Sequence, residues 1–329
     1  MKKLVRILAV AVAAALLLAG GAVALSHIIY GRSLKASLYE YALRRRFATD
    51  RTAESEVARL EEKRKAGEKP YAIPAGLNIQ SEVAQSERDG LQVFTLRAGR
   101  ETPDAPILLY LHGGAYVNQF NAYQWKLMDR LTLQTGCETV APAYHLAPWA
   151  DYARAYDDLT ALYLDLVDAN PGRRVLLMGD SAGGGLALGL AEYLAQRGDP
   201  LPERLILFSP WVDVSMENPD IEALVPVEPM LHLELVKVHG RYWAGDAGTR
   251  HWQISPLFGD MAGLPPVTMY CGTRELLYPD ILLARDRLAA AGVEVDLRVG
   301  RGLNHDWPLM PLPEAKASFR DIAALVRGA

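Results

Sequence analysis

The chain has 329 residues, half of them hydrophobic, and a formal net charge of −4, enough for one large α/β domain or two smaller ones. The acidic balance and the lack of a basic stripe with interleaved aromatics argue against a nucleic-acid partner. Without HExxH or a Cys/His cluster among the seven histidines no metal site is expected, and Cys137 and Cys271, in apolar strand-like segments, read as buried thiols.

Lys2, Lys3 and Arg6 precede an uncharged apolar run over residues 7–25. At 1.5 Å per residue such a helix matches a hydrocarbon core of ~30 Å. Residues 1–31 therefore read as a membrane anchor that leaves the rest of the chain exocytoplasmic. The alternative is a signal peptide cut near Ala22-Val23-Ala24, which would release a secreted or periplasmic protein. Lys2, Lys3 and Arg6 favour a cytoplasmic N-terminus, whereas Arg32, Lys35 and Arg44–Arg46 oppose it from the other flank.

Residues 32–66 carry helix formers, with Leu34, Leu38, Tyr41 and Ala42 at helical spacing and a charged stretch over 61–65. They suit a stalk resting a basic face on lipid headgroups, or a cap helix over an active site. Gly67, Pro70, Pro74 and Gly76 break the pattern, so 32–76 is read as cap or stalk plus linker, and 77–329 as the main domain.

Strand and helix patterns then alternate. Gln92–Arg97, Ile107–Leu111, Thr139–Ala143, Val175–Met178, Leu205–Phe208, Val267–Cys271 and Val293–Val299 read as strands. Trp125–Thr135, Asp151–Asp168, Ala182–Arg197, Ile281–Ala291 and Glu314–Val326 read as helices. Repeated βα units with apolar strands predict a mostly parallel sheet covered on both faces, with ligands at the strands' carboxyl ends. The interval 213–265 breaks the rhythm and reads as an insertion over that edge. Its Met216, Met230, Trp243 and Trp252 could line an apolar pocket or form the insertion's own core.

Gly179-Asp180-Ser181-Ala182-Gly183 lies between a strand and a helix. Glycines two residues either side let the chain fold back sharply and expose the serine hydroxyl at the tip. A nucleophilic serine further needs a base, an acid to orient it and donors for an oxyanion. His305, in a loop after the last strand, is the best-placed base. Glu275 follows the Val267–Cys271 strand and is favoured as the acid, with Asp280 the other candidate. His112-Gly113-Gly114 follows the Ile107–Leu111 strand, so the amides of Gly113, Gly114 and Ala182 are the expected oxyanion donors. Serine, acid and histidine in that chain order match one of the known triad solutions.

With these motifs, residues ~71–329 resemble an α/β-hydrolase of the hormone-sensitive-lipase-like esterase and lipase group. Ala143-Tyr144-His145-Leu146-Ala147-Pro148, Ser209-Pro210-Trp211-Val212-Asp213 and Ser255-Pro256-Leu257 add to the likeness. The resemblance implies an eight-stranded, mostly parallel sheet, and a helical cap from the N-terminal helices and the 213–265 insertion. It also implies cofactor-free hydrolysis of carboxylic esters with short or medium acyl chains. Rival readings are a serine peptidase on the same fold and a catalytically silent ligand-binding member. The chain departs from the family pattern in Ala115, where a third glycine is usual, in Glu275, where aspartate is commoner, and in the membrane segment. The sequence leaves the oligomeric state open.

Overall fold

The computed structural model describes residues 20–21, 23–99 and 105–328. Most of the apolar run over 7–25 lies outside the described residues. Among the described residues no helix is long and apolar enough to cross a membrane.

Eight strands form one sheet in the order β1-β2-β4-β3-β5-β6-β7-β8. They are β1 (Glu82–Arg88), β2 (Leu91–Arg97), β3 (Ile107–Leu111), β4 (Glu138–Ala143), β5 (Val175–Asp180), β6 (Arg204–Phe208), β7 (Val267–Gly272) and β8 (Val295–Gly300). β2 runs antiparallel to both β1 and β4, and the pairs from β4 through β3 to β8 are all parallel. The helices are α1 (Leu34–Phe47), α2 (Ala53–Ala66), α3 (Ala122–Thr135), α4 (Tyr152–Ala169), α5 (Ser181–Arg197), α6 (Leu233–Ala244), α7 (Tyr278–Ala290) and α8 (Pro313–Arg327). Residues 23–30 are also helical.

The central strands are apolar throughout because both faces are covered. In β3, Ile107, Leu109 and Leu111 join a core with α4, α5 and α7, whereas Leu108 and Tyr110 join another with α3 and α8. β5 and β6 divide the same way, Leu177 and Leu207 to the first core, Met178 and Phe208 to the second. Two successive side chains on opposite faces thus build a three-layer molecule.

Two local expectations change. β1 is a separate strand on the sheet edge, although Glu82–Arg88 is exposed nearly throughout. The helical stretch over 32–66 is two helices: the backbone is extended at Thr52, whose side chain caps α2 in reciprocal bonds with Ser55. The insertion contributes α6, which packs against α2 through Val238 and Leu60, with Tyr242 donating to Glu61 at 2.6 Å. Cys137 and Cys271 are both free and buried, as read from their apolar surroundings.

Candidate active site

Parallel strands send their following loops to one edge of the sheet, and four such loops meet there. β5 runs straight into α5 with no residue between: Ser181 sits at φ +52° and opens the helix. That left-handed conformation is costly for a side-chain-bearing residue, about 1–3 kcal/mol, and is held by close backbone crossings. A Cβ on Gly179 would collide with the Gly183 carbonyl, and one on Gly183 with the Leu111 carbonyl. The two flanking glycines are needed for the sterics the sequence suggests.

His305 comes from the loop after β8. Its Nε2 lies 2.9 Å from Ser181 Oγ and its Nδ1 2.8 Å from Glu275 Oε2. Glu275, fully buried after β7, also accepts the Gly272 amide at 2.8 Å on Oε1. Asp280, the other candidate acid, pairs with Asn218 Nδ2 at 2.7 Å near the start of α7 and makes no contact with His305. The His305 loop is fixed from outside: Trp307 Nε1 donates to the Cys271 carbonyl at 3.1 Å, and the Asp306 amide to Ser209 Oγ at 3.0 Å. Burial works to lower the His305 pKa, but the carboxylates of Asp306, Glu275 and Glu228 outweigh it and push it up to about 10.

The loop after β3 carries two of the expected oxyanion donors, Gly113 and Gly114. The Gly113 amide donates to Asp180 Oδ1 at 3.0 Å, so it is not free to meet a substrate. Tyr110 and Gln124 also donate to this buried carboxylate, the latter at 2.8 Å. Gly114, at φ +135°, and Ala115, at φ +54°, line the cleft, and their N–H groups find no acceptor among the described residues. Ala182, in the first turn of α5, lies where helix amides lack intrahelical partners. His112 is structural: its ring stacks on Tyr144 with centroids 4.4 Å apart, and burial pushes its pKa down to about 4.

Two carboxylates at the site were not singled out from the sequence. Asp306 Oδ2 lies 3.3 Å from His305 Nε2, on the same nitrogen that faces Ser181. Glu228, buried and drawn from the insertion, accepts amides of Met230 at 2.8 Å and Leu231 at 3.2 Å on one oxygen, and of Leu276 at 3.1 Å on the other. It ties a cleft wall to the residue after Glu275, and burial pushes its pKa up to about 7. Asp306 had a weak signal in its adjacency to His305, whereas Glu228 had none.

Above Ser181 lies a cleft of about 410 Å³, walled by Trp211, Leu231, Leu235, Val236 and Leu277. A second arm, also of about 410 Å³, runs beside Tyr39, Leu43 and Leu309 and shares Arg46, Phe47 and Met230 with the first. Of the insertion's candidate pocket residues, Met230 lines both arms. Met216 and Trp243 are core: Trp211 Nε1 lies 3.0 Å from Met216 Sδ, and Trp243 stacks on Tyr116 at 4.1 Å. Trp252 lies 6.2 Å from the ring of Tyr193 and away from the cleft.

A family model described as alpha/beta hydrolase fold matches residues 108–309. LipR of Mycobacterium tuberculosis is 35% identical over 228 residues, 67% of this chain and 72% of its own length. An acetyl-hydrolase of Streptomyces hygroscopicus is 32% identical over 232 residues, 69% of this chain and 77% of its own. Among solved structures, an esterase from the bacterial hormone-sensitive lipase family superposes with a TM-score of 0.77 at 27% identity, covering 90% of this chain and 98% of that one.

Proposed function

Because the chain belongs to the alpha/beta hydrolase fold family, among esterases and lipases of the hormone-sensitive-lipase type, we propose that it cleaves carboxylic esters through an acyl-enzyme on Ser181. The observation that carries this reading is the unbroken path Ser181–His305–Glu275, with bonds of 2.9 and 2.8 Å, beside free amides at Gly114 and Ala115.

In this mechanism His305 Nε2 takes the proton of Ser181 Oγ as the oxygen attacks the ester carbonyl. The Gly114, Ala115 and Ala182 amides stabilise the oxyanion that forms, each contributing roughly 10²–10³ in rate. Collapse expels the alcohol, which leaves with the proton from His305. Water then adds to the acyl-enzyme, giving His305 a proton, and the acid departs as that proton returns to Ser181. Glu275 keeps the imidazole tautomer with Nδ1 protonated.

The cleft walls come from α1 and the 213–265 insertion, so we assign residues 32–76 and that insertion to a cap on a hydrolase domain spanning 77–329. The apolar arms suit short to medium acyl chains, and an acetyl-hydrolase among the relatives agrees with a small acyl group. The apolar run over 7–25 anchors this domain on the exocytoplasmic side of a membrane. Ser181→Ala is expected to keep the fold, lose turnover of p-nitrophenyl butyrate and lose labelling by a fluorophosphonate probe. Turnover that survived the substitution would overturn the assignment. A wild-type Ser181 that the probe failed to label would instead favour a ligand-binding protein.

A further inference from the structure

Helix α1 has one face in the protein and another that no described residue covers. Ala36, Glu40 and Leu43 are buried, whereas Leu38 and Tyr41 are 62% and 59% exposed. The preceding helical residues 23–30 add Ile28 at 77% and Ile29 at 57%. The two helices adjoin, since Ser26 Oγ lies 2.6 Å from Ser37 Oγ, so their uncovered apolar side chains belong to one margin of the molecule. Scattered exposed apolar residues need no explanation, but a run of large ones on adjoining helices does.

Charge says what covers it. Residues 26–51 contain six basic and two acidic residues in a chain whose net charge is −4. One of the two acidic residues, Glu40, is buried among Arg32, Arg44 and Arg274 and adds nothing to the surface. Lys35, Arg45 and Arg46 are exposed around Leu38 and Tyr41, with the Arg45 guanidinium 5.7 Å from the Tyr41 ring. Apolar side chains ringed by cations fit an interface with anionic headgroups. A second copy of this chain would set like charges against each other.

The same helix forms the mouth of the cleft. Ala42, one turn beyond Leu38, and Arg46 and Phe47 line the arm that joins the space above Ser181. We infer that α1 docks on the surface of an anionic lipid bilayer and that the site draws its substrate from that bilayer. The substrate class is an amphiphilic ester whose carbonyl lies at headgroup depth, so that its acyl chain reaches the cleft without crossing water. This rests on the reading of Ser181 as nucleophile.

The test uses the full chain reconstituted in phosphatidylcholine vesicles with and without phosphatidylglycerol. Hydrolysis of a medium-chain diacylglycerol in the bilayer is compared with hydrolysis of p-nitrophenyl butyrate in water. Leu38→Asp with Tyr41→Asp should lose about tenfold or more on the bilayer ester, yet stay within about twofold on the soluble one, as surface substitutions do. Lys35→Glu with Arg45→Glu should lose about tenfold only in the phosphatidylglycerol vesicles. A bimane on Leu38→Cys, the native cysteines being buried, should be quenched by brominated lipid. An unquenched bimane, equal losses on both esters, or a change in oligomer mass in the aspartate variant would each overturn the docking. Wild-type failure on p-nitrophenyl butyrate would instead remove the Ser181 reading.

Discussion

In the proposed mechanism His305 can act as a base only while its ring is neutral, and the residues around it oppose neutrality. Glu275 on Nδ1 is the partner a triad requires, but Asp306, 3.3 Å from Nε2, favours the charged ring on the side that must receive a proton. With its pKa pushed up, the acid limb of kcat/KM is expected above the ordinary imidazole range near 6.5, with activity falling as pH drops through it. Burial pushes the Asp306 carboxyl itself well above its usual range, with His305 pulling the other way, so its charge is coupled to the ring. Asp306→Asn removes that charge and suits the backbone, because asparagine tolerates the φ of +53° found there. The variant should therefore shift the acid limb to lower pH and gain activity near pH 6; identical limbs in a kcat/KM–pH comparison would show that Asp306 does not act on the base. Ser181, His305 and Glu275 were legible because each follows an apolar strand, in the order the chemistry needs. The diversion of Gly113 to Asp180 was not legible, since a glycine pair says nothing about which amide a neighbouring carboxylate will take.

At the scale of elements, the same helix that covers the cleft also braces it. Glu40 on α1 accepts from Arg274 at 2.9 Å on both oxygens and from Arg44 at 3.0 Å, and pairs with Arg32, which in turn donates to the Gly302 carbonyl at 2.6 Å. Arg274 adjoins Glu275, and Gly302 opens the loop that carries His305, so one carboxylate joins α1 to both loops. Burial works to raise the Glu40 pKa, but the arginines Arg274 and Arg32 win and hold it below the ordinary range. A lowered carboxylate pKa adds stability that is present above the unfolded value and lost as pH falls through the folded one. Glu40→Gln leaves the buried Arg32 guanidinium without its counter-charge, at a cost of about 3–5 kcal/mol. Urea unfolding should show that deficit at pH 7 and a smaller one near pH 3; an equal deficit at both would mean that the contact acts by packing alone. The bracing was hidden in a sequence that gave α1 and α2 as one helical stretch. Their helix formers run together, and the break is marked only by the capping of Thr52 and Ser55. The central strands were plain because burial on both faces leaves a continuous apolar run. β1 stayed silent because Glu82–Arg88 on the sheet edge buries almost nothing and lacks any alternation.

Across the whole molecule, substrate selection is assembled from segments far apart in the chain, which is why the cleft could not be read from any one of them. Arg44 of α1 donates to the carbonyls of Pro226 and Glu228 in the insertion, at 3.3 and 3.4 Å, which ties α1, whose Arg46 and Phe47 line the space over Ser181, to the insertion. Leu235 and Val236 of α6, Leu277 before α7 and Trp211 after β6 make the opposite wall apolar. An acyl chain entering this arm gains about 0.8 kcal/mol for each methylene buried, or about fourfold in kcat/KM per methylene while the wall lasts. A p-nitrophenyl ester series should therefore climb from acetate and turn over where the arm ends. Val236→Phe adds bulk to a wall that α6 holds firmly against the rest of the core. It should move the optimum to a shorter acyl chain while leaving fluorophosphonate labelling of Ser181 intact. If the optimum stays where it was, the acyl chain occupies the other arm, beside Tyr39 and Leu43 of α1. Leu43→Phe would then be the substitution that shortens it. The pair of variants thus assigns acyl and alcohol to the two arms, and so decides whether the N-terminal helix or the insertion measures the chain.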